Sequence, residues 1–170
     1  VLAQHALDAV HGVDVNSFAV GIARFRLLIA ALRASRVQRL AGAPDFSTHV
    51  ATGDSLLHGV HTGQLAGTDT HHLAVDHSYA SEDLDLSRTI LSDRYSAVVG
   101  NPPYKVPSDQ ALTDAYRRIY SSCHRQYSLA VPFMERFFDL AVPDGYIGMI
   151  TANSFMKREF GKKLVVEFLP

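Results

Sequence analysis

Runs of apolar residues alternate with longer stretches of helical periodicity along this chain. Val10-His11-Gly12-Val13-Asp14-Val15 reads as a short buried strand, and Asn16 or Ser17 caps the helix after it. Phe18 to Leu40 carries a helical pattern, with Phe18, Ile22, Phe25, Ile29 and Leu32 on one face and Arg24, Arg33, Arg36 and Arg39 elsewhere. Phe46 to Ala51 predicts a second strand, stopping at Gly53-Asp54-Ser55-Leu56. Residues 58–92 are polar and read as a long connection with a short helix near Leu84–Leu91. Tyr95 to Val99 predicts a third strand. Thr113–Ser122 and Ser128–Ala141 predict helices, the second with Pro132 in its first turn. After a turn at Asp144-Gly145, Tyr146 to Thr151 predicts a fourth strand, and Ser154 caps a last helix that Gly161 interrupts. This order predicts an open parallel α/β sheet, its near-continuous apolar strands covered on both faces.

Composition narrows the class. The chain has 170 residues, 47% of them hydrophobic, which suits one globular domain with a real core. The single cysteine, Cys123, excludes a disulfide framework and a cysteine-rich zinc site, and it fits a reducing cytoplasm. No apolar run approaches the roughly 18 residues of a membrane span. The ends lack an initiator Met and stop on an apolar stretch, as expected of a piece cut from a longer protein. The net charge of −1 does not advertise a nucleic-acid binder. Basic residues nonetheless gather late, at Arg117, Arg118, Arg125, Lys157, Arg158, Lys162 and Lys163.

In open parallel sheets the ligand sits beyond the carboxyl ends of the strands. Asp14, Asp54 and Asn101 occupy such positions at three successive strand ends. A carboxylate at Asp14 suits two ribose hydroxyls of a nucleoside cofactor. One at Asp54 suits the exocyclic amine of that cofactor's adenine, with Leu56 packed on its face. Each is also an ordinary turn or cap residue when taken alone.

The most informative segment is Asn101-Pro102-Pro103-Tyr104. The Asn101 carboxamide oxygen is a neutral acceptor, and Pro102 leaves its carbonyl as a second one on a stiff backbone. Tyr104 offers a flat face to a base. Two acceptors on one NH2 group oppose its conjugation with the ring and expose the nitrogen lone pair. Methylation of an aromatic amine requires that, and no general base has to act first.

The residues Tyr95–Tyr104, Cys123–Arg136 and Gly148–Met156 together resemble adenine-specific DNA methyltransferases of the Eco57I-like type. Within these they most resemble the PglX type of phage-growth-limitation (BREX) defence. The resemblance implies a Rossmann-like S-adenosylmethionine (SAM) dependent methyltransferase fold, a mostly parallel sheet with flanking helices. It further implies that Asp14 and Asp54 bind SAM, with Leu56 beside them. Asn101, Pro102 and Tyr104 then act on a flipped adenine of double-stranded DNA, and Pro103 and Asn153 line its pocket. Other defence-system proteins are implied as partners. The family opens with a strand and a Gly-rich loop that this chain lacks, so it is expected to be truncated at both ends and inactive alone. The same motif also serves RNA and protein-glutamine methyltransferases, and a non-catalytic scaffold subunit is a further alternative.

Other signals predict less. His58, His61, His71, His72 and His77 crowd one Gly-rich connection and read as a solvated loop, without a metal site. Phe133, Phe137, Phe138 and Leu140 read as core, and Cys123 as an inert buried thiol.

Overall fold

The computed structural model describes residues 2–37, 39–59 and 83–169. They form two compact units, one from the described residues of Val1–Gly59 and Ser78–Leu91, the other from those of Ser92–Pro170.

The first unit contains helix α1 (Leu2–Asp8), strand β1 (His11–Asp14), helix α2 (Ser17–Ala34), a 3-10 turn at Leu40–Gly42, strand β2 (His49–Thr52) and helix α3 (Leu84–Ser92), whose last residue falls in the second. β1 and β2 are parallel, with Asp14 opposite Thr52. Asn16 starts α2, as expected: its side-chain oxygen accepts from the backbone N–H groups of Phe18 and Ala19, at 3.0 and 3.3 Å. The helix stops at Ala34, earlier than its periodicity predicts. Arg36 adopts a φ of 54°, and the N–H groups of Arg36 and Val37 fold back onto the carbonyls of Arg33 and Leu32. This is a Schellman closure with arginine where glycine is usual, so composition does not announce it.

The face that α2 buries is also not the expected one. Phe18 and Phe25 are 83% and 63% exposed, whereas Val20 and Ala31 are buried. Arg24 lies on the same side as Val20 and Ala31, and it decides the orientation. Its Nε donates to the Val50 carbonyl at 2.8 Å, and its guanidinium meets Asp83 at 2.9 Å. Asp83 also accepts from the Thr52 N–H at 3.2 Å. Arg24 and Asp83 thus satisfy β2 backbone groups that β1 leaves over, which blunts a strand edge. Burial raises the Asp83 pKa, but the Thr52 N–H and Arg24 outweigh it and hold the carboxyl below its ordinary value.

The second unit contains strand β3 (Tyr95–Gly100), helix α4 (Gln110–Ile119), helix α5 (Ala130–Leu140), strand β4 (Ala141–Met149), and short helical turns at Ser154–Lys157, Glu159–Gly161 and Leu164–Phe168. Ser154 thus begins a broken run of short turns instead of one helix. β3 and β4 are parallel. The predicted Asp144-Gly145 turn is present as an irregularity inside β4, with Asp144 at a φ of 63°. Tyr116, Ile119, Tyr120, Tyr127, Val131, Phe137 and Leu164 form the buried core. Phe138 departs from the expected core set: it is half-exposed, edge-on to Phe168.

Two features of the expected sheet need correction. Among the described residues the four strands pair as two two-stranded parallel sheets. The β3–β4 pair is not covered throughout among the described residues: α5 packs against it where Phe137 meets Gly100, while Val99 and Tyr146 are 79% and 80% exposed. What holds is a mixed α/β chain with parallel pairing.

The Asp83 contacts yield a first prediction. In the full-length protein, Asp83→Ala removes the acceptor for Thr52 and the partner of Arg24. The expected local loss is about 1–3 kcal/mol, read as faster hydrogen exchange at the Thr52 amide. Unchanged exchange there would mean that the Asp83 contact does not hold the edge.

Candidate functional site

Asp14 and Asp54 lie together in the first unit. The Gly53 N–H donates to the Asp14 carbonyl at 3.0 Å, so the segment leaving β2 is tied to the end of β1. The exposed Asp14 carboxylate accepts from the Asn16 N–H at 2.7 Å through Oδ1. Its other oxygen has no protein donor among the described residues.

Asp54 is buried, and its Oδ1 accepts from the Leu56 N–H at 2.8 Å. Its carbonyl accepts from the N–H of His58 at 3.0 Å, closing a one-turn loop. Leu56 points into the core of this unit and is almost fully buried. Gly53 is required by close approach: a Cβ there would come within 2.8 Å of the Ser87 Cβ and 3.0 Å of His58 Nδ1.

His58 is not the solvated loop residue its neighbourhood predicts. It is only 4% exposed. Its Nδ1 accepts from the Asp54 N–H at 3.3 Å and lies 3.4 Å from Ser87 Oγ, on α3. Burial lowers its pKa; the Asp54 charge opposes this and Arg88 adds to it. The residues beside it in sequence do not reveal this histidine, because Ser87 on α3, far along the chain, packs against it. His61, His71, His72 and His77 lie outside the described residues.

Asn101 and Tyr104 come together in the second unit. The β3–β4 pairing runs one step past β4, the Ile150 N–H donating to the Gly100 carbonyl at 3.2 Å. A Cβ on Gly100 would come within 2.6 Å of the Phe137 ring, so glycine lets α5 close against the strand end. The Tyr104 hydroxyl donates to Asn101 Oδ1 at 2.8 Å and lies 3.3 Å from the Ile150 carbonyl. Pro102 is buried, whereas Asn101 and Pro103 are exposed and Tyr104 is half-exposed. The Leu129 N–H fastens the loop exit by donating to the Lys105 carbonyl at 3.0 Å. Asn153 is exposed at the start of the Ser154–Lys157 turn, and its side chain makes no cap bond.

An oxygen with two lone pairs keeps one after accepting from a hydroxyl. Asn101 Oδ1 is therefore oriented and still able to accept from an amine.

Residues 8–168 match the model of the Eco57I restriction-modification methylase family. The chain belongs to this family. It is 48% identical over 174 residues to the adenine-specific methyltransferase PglX of Streptomyces coelicolor, covering 94% of this chain and 14% of that protein. It is 26% identical over 164 residues to the type II restriction enzyme and methyltransferase RM.Eco57I of Escherichia coli, covering 91% of the chain and 15% of the relative. The type II methyltransferase M.BstVI of Geobacillus stearothermophilus is 35% identical over 74 residues, 42% of this chain and 13% of that protein. The chain thus spans only a small part of the length of these relatives. No solved structure matches it.

The segment Cys123–Arg136 is a buttress. Buried Glu135 accepts from the Ser121 and Ser122 N–H groups at 3.2 and 2.9 Å, and from the Ser121 hydroxyl at 3.3 Å. Burial pushes the Cys123 thiol up to about 12, which keeps it protonated and unreactive. Among the described residues no helix is long and apolar enough to cross a membrane.

His58 generates a pH prediction. In the unfolded chain it takes up a proton near the ordinary 6.5, and in place only at lower pH. Protons therefore favour the opened loop, so stability present above pH 6.5 is lost as pH falls through the depressed folded value. In the full-length protein, exchange protection of the Asp54–His58 amides, corrected for intrinsic rates, should fall on acidification. His58→Asn should flatten that dependence; an equal slope in both proteins would assign it to another group.

Proposed function

We propose that the full-length protein is a SAM-dependent DNA adenine N6-methyltransferase of a phage-defence or restriction-modification system, acting in the cytoplasm. The observation that carries this is the Tyr104 hydroxyl bond to the Asn101 carboxamide at the end of β3, in a chain of this family. The proposed whole catalytic domain has a Rossmann-like fold to which both parallel pairs contribute. The name of the PglX relative supplies adenine as the base.

The first unit fits the cofactor. Asp14 offers an exposed carboxylate oxygen for the ribose hydroxyls, and Asp54 follows at the neighbouring strand end for the adenine amine. Leu56 is buried, so it enters as packing behind Asp54, not as an open contact. When bound, SAM supplies a methyl carbon attached to a positively charged sulfur.

The second unit handles the acceptor. The target adenine must leave the duplex, at a cost of about a few kcal/mol. Stacking on the half-exposed Tyr104 ring offsets this. Asn101 Oδ1 and the Pro102 carbonyl accept from the N6 amine and localise its lone pair, while Pro103 and Asn153 flank the base. The chain's contribution is orientation and electrostatics, and the amine loses its proton to solvent afterwards.

The test is transfer of labelled methyl to DNA by the full-length protein with its partners, followed by mass identification of the modified base. Asn101→Ala should abolish transfer while SAM binding stays within about twofold. Tyr104→Ala should weaken capture of the extruded base by about 1–3 kcal/mol. Tyr104→Phe keeps the ring but frees the Asn101 carboxamide, so a loss of about 1 kcal/mol, or fivefold in rate, is expected. Label on RNA or on a protein glutamine, or an active Asn101→Ala protein, would overturn the reading. A wild-type protein that binds DNA without methylating it would make it a scaffold.

A further inference from the structure

A cleft of about 270 Å³ opens two residues beyond Tyr104, within the second unit. Val106, Pro107, Gln110, Arg117, Gln126 and Tyr127 are among its lining residues. We propose that it binds the phosphodiester backbone beside the extruded base, with Arg117 as the phosphate ligand. The proposal rests on the acceptor-site reading above and names a further part of the same substrate.

Arg117 is held on three sides. Its guanidinium meets Asp114 at 3.1 Å and the Arg125 carbonyl at 2.5 Å, and it lies 5.8 Å from the centre of the Tyr127 ring. A guanidinium has five N–H donors, and these two acceptors leave others over. Arginine fixed in this way loses little side-chain entropy on binding and presents a planar fork suited to phosphate.

The lining favours an oxyanion over a nucleobase. The Tyr127 ring is faced by Arg117, which leaves less of it for stacking. The Tyr127 hydroxyl is turned inward, donating to the Thr113 carbonyl at 2.8 Å. The Gln110 amide also donates to Asp114, at 3.0 and 3.1 Å to its two oxygens, so Arg117 shares this partner with a neutral donor. Arg117 is the one charged residue among those lining the cleft. The cleft also follows the proposed acceptor site closely along the chain, its lining beginning at Val106. A nucleotide held at Asn101–Tyr104 carries its flanking phosphates out along the loop exit, which Leu129 clamps at Lys105.

The experiment measures DNA affinity of the full-length, SAM-loaded protein over a series of salt concentrations. Each lost phosphate contact lowers the slope of log K against log salt by about 0.9 for duplex DNA. Arg117→Gln should lose about that much slope and bind about tenfold or more weakly, with SAM affinity unchanged. Arg117→Lys should keep the slope. Gln126→Glu leaves the guanidinium in place and adds a negative charge to the cleft, so it should also weaken DNA binding. Unchanged affinity and slope in Arg117→Gln and Gln126→Glu, with the wild type still methylating adenine, would overturn the cleft and leave the acceptor site standing. Equal losses in Arg117→Gln and Arg117→Lys with unchanged slope would reduce Arg117 to a structural role and also overturn it. A wild type that methylates no DNA would remove both readings.

Discussion

Asn101 stands where β3 stops pairing, and among the described residues the hydroxyl of Tyr104 is the hydrogen-bond donor that orients its carboxamide. That one hydrogen bond connects the fold to the proposed chemistry. It needs Tyr104 three residues on, after two prolines that stiffen the path between donor and acceptor. The same hydroxyl lies 3.3 Å from the Ile150 carbonyl, a weaker second acceptor that parallel pairing of β3 with β4 brings there. Glycine at position 100 lets Phe137 close against the strand end, and Glu135, on the same helix, gathers the Ser121–Ser122 backbone. The buttress is therefore built in part from Cys123–Arg136, one of the segments that carry the family resemblance.

The first unit is organised around buried polar groups. Asp54, His58 and Ser87 meet where the loop after β2 packs on α3, and Arg24 with Asp83 takes up the β2 backbone. Such groups are costly unless each finds a partner, so they fix geometry more sharply than apolar contacts alone. Asp54 is thereby oriented within the fold, while Asp14 keeps an oxygen open on the surface, as the proposed cofactor site requires.

Much of this is legible in the residues. The segments ending in Asp14, Asp54 and Asn101 are found as strands or strand ends, and the Asn16 cap and the short helix before β3 are found too. These features are local: a cap needs only its own N–H groups, and a strand end only its neighbours. The features that are not legible depend on partners far along the chain. Phe18 and Ile22 fit the helical period of α2, yet the buried face is chosen by Val20, Ala31 and the reach of Arg24 to Val50 and Asp83. The end of α2 is hidden because arginine adopts the left-handed turn that glycine usually marks. His58 looks like part of a polar loop because nothing adjacent announces the packing of α3. The Tyr104 hydroxyl bond is hidden behind the more conspicuous stacking face of the ring. The roles given to Asp14, Asp54, Leu56, Asn101, Pro102, Pro103, Tyr104 and Asn153 rest on their placement and on the family, and they stand as proposals.

The most direct measurement is a structure of the full-length protein with a non-reactive SAM analogue and DNA carrying its target site. The account predicts an adenine outside the helix, stacked on Tyr104, with N6 about 2.7–3.2 Å from Asn101 Oδ1 and from the Pro102 carbonyl. An adenine engaged elsewhere, or an Asn101 carboxamide that still faces only Tyr104 when the base is bound, would contradict it.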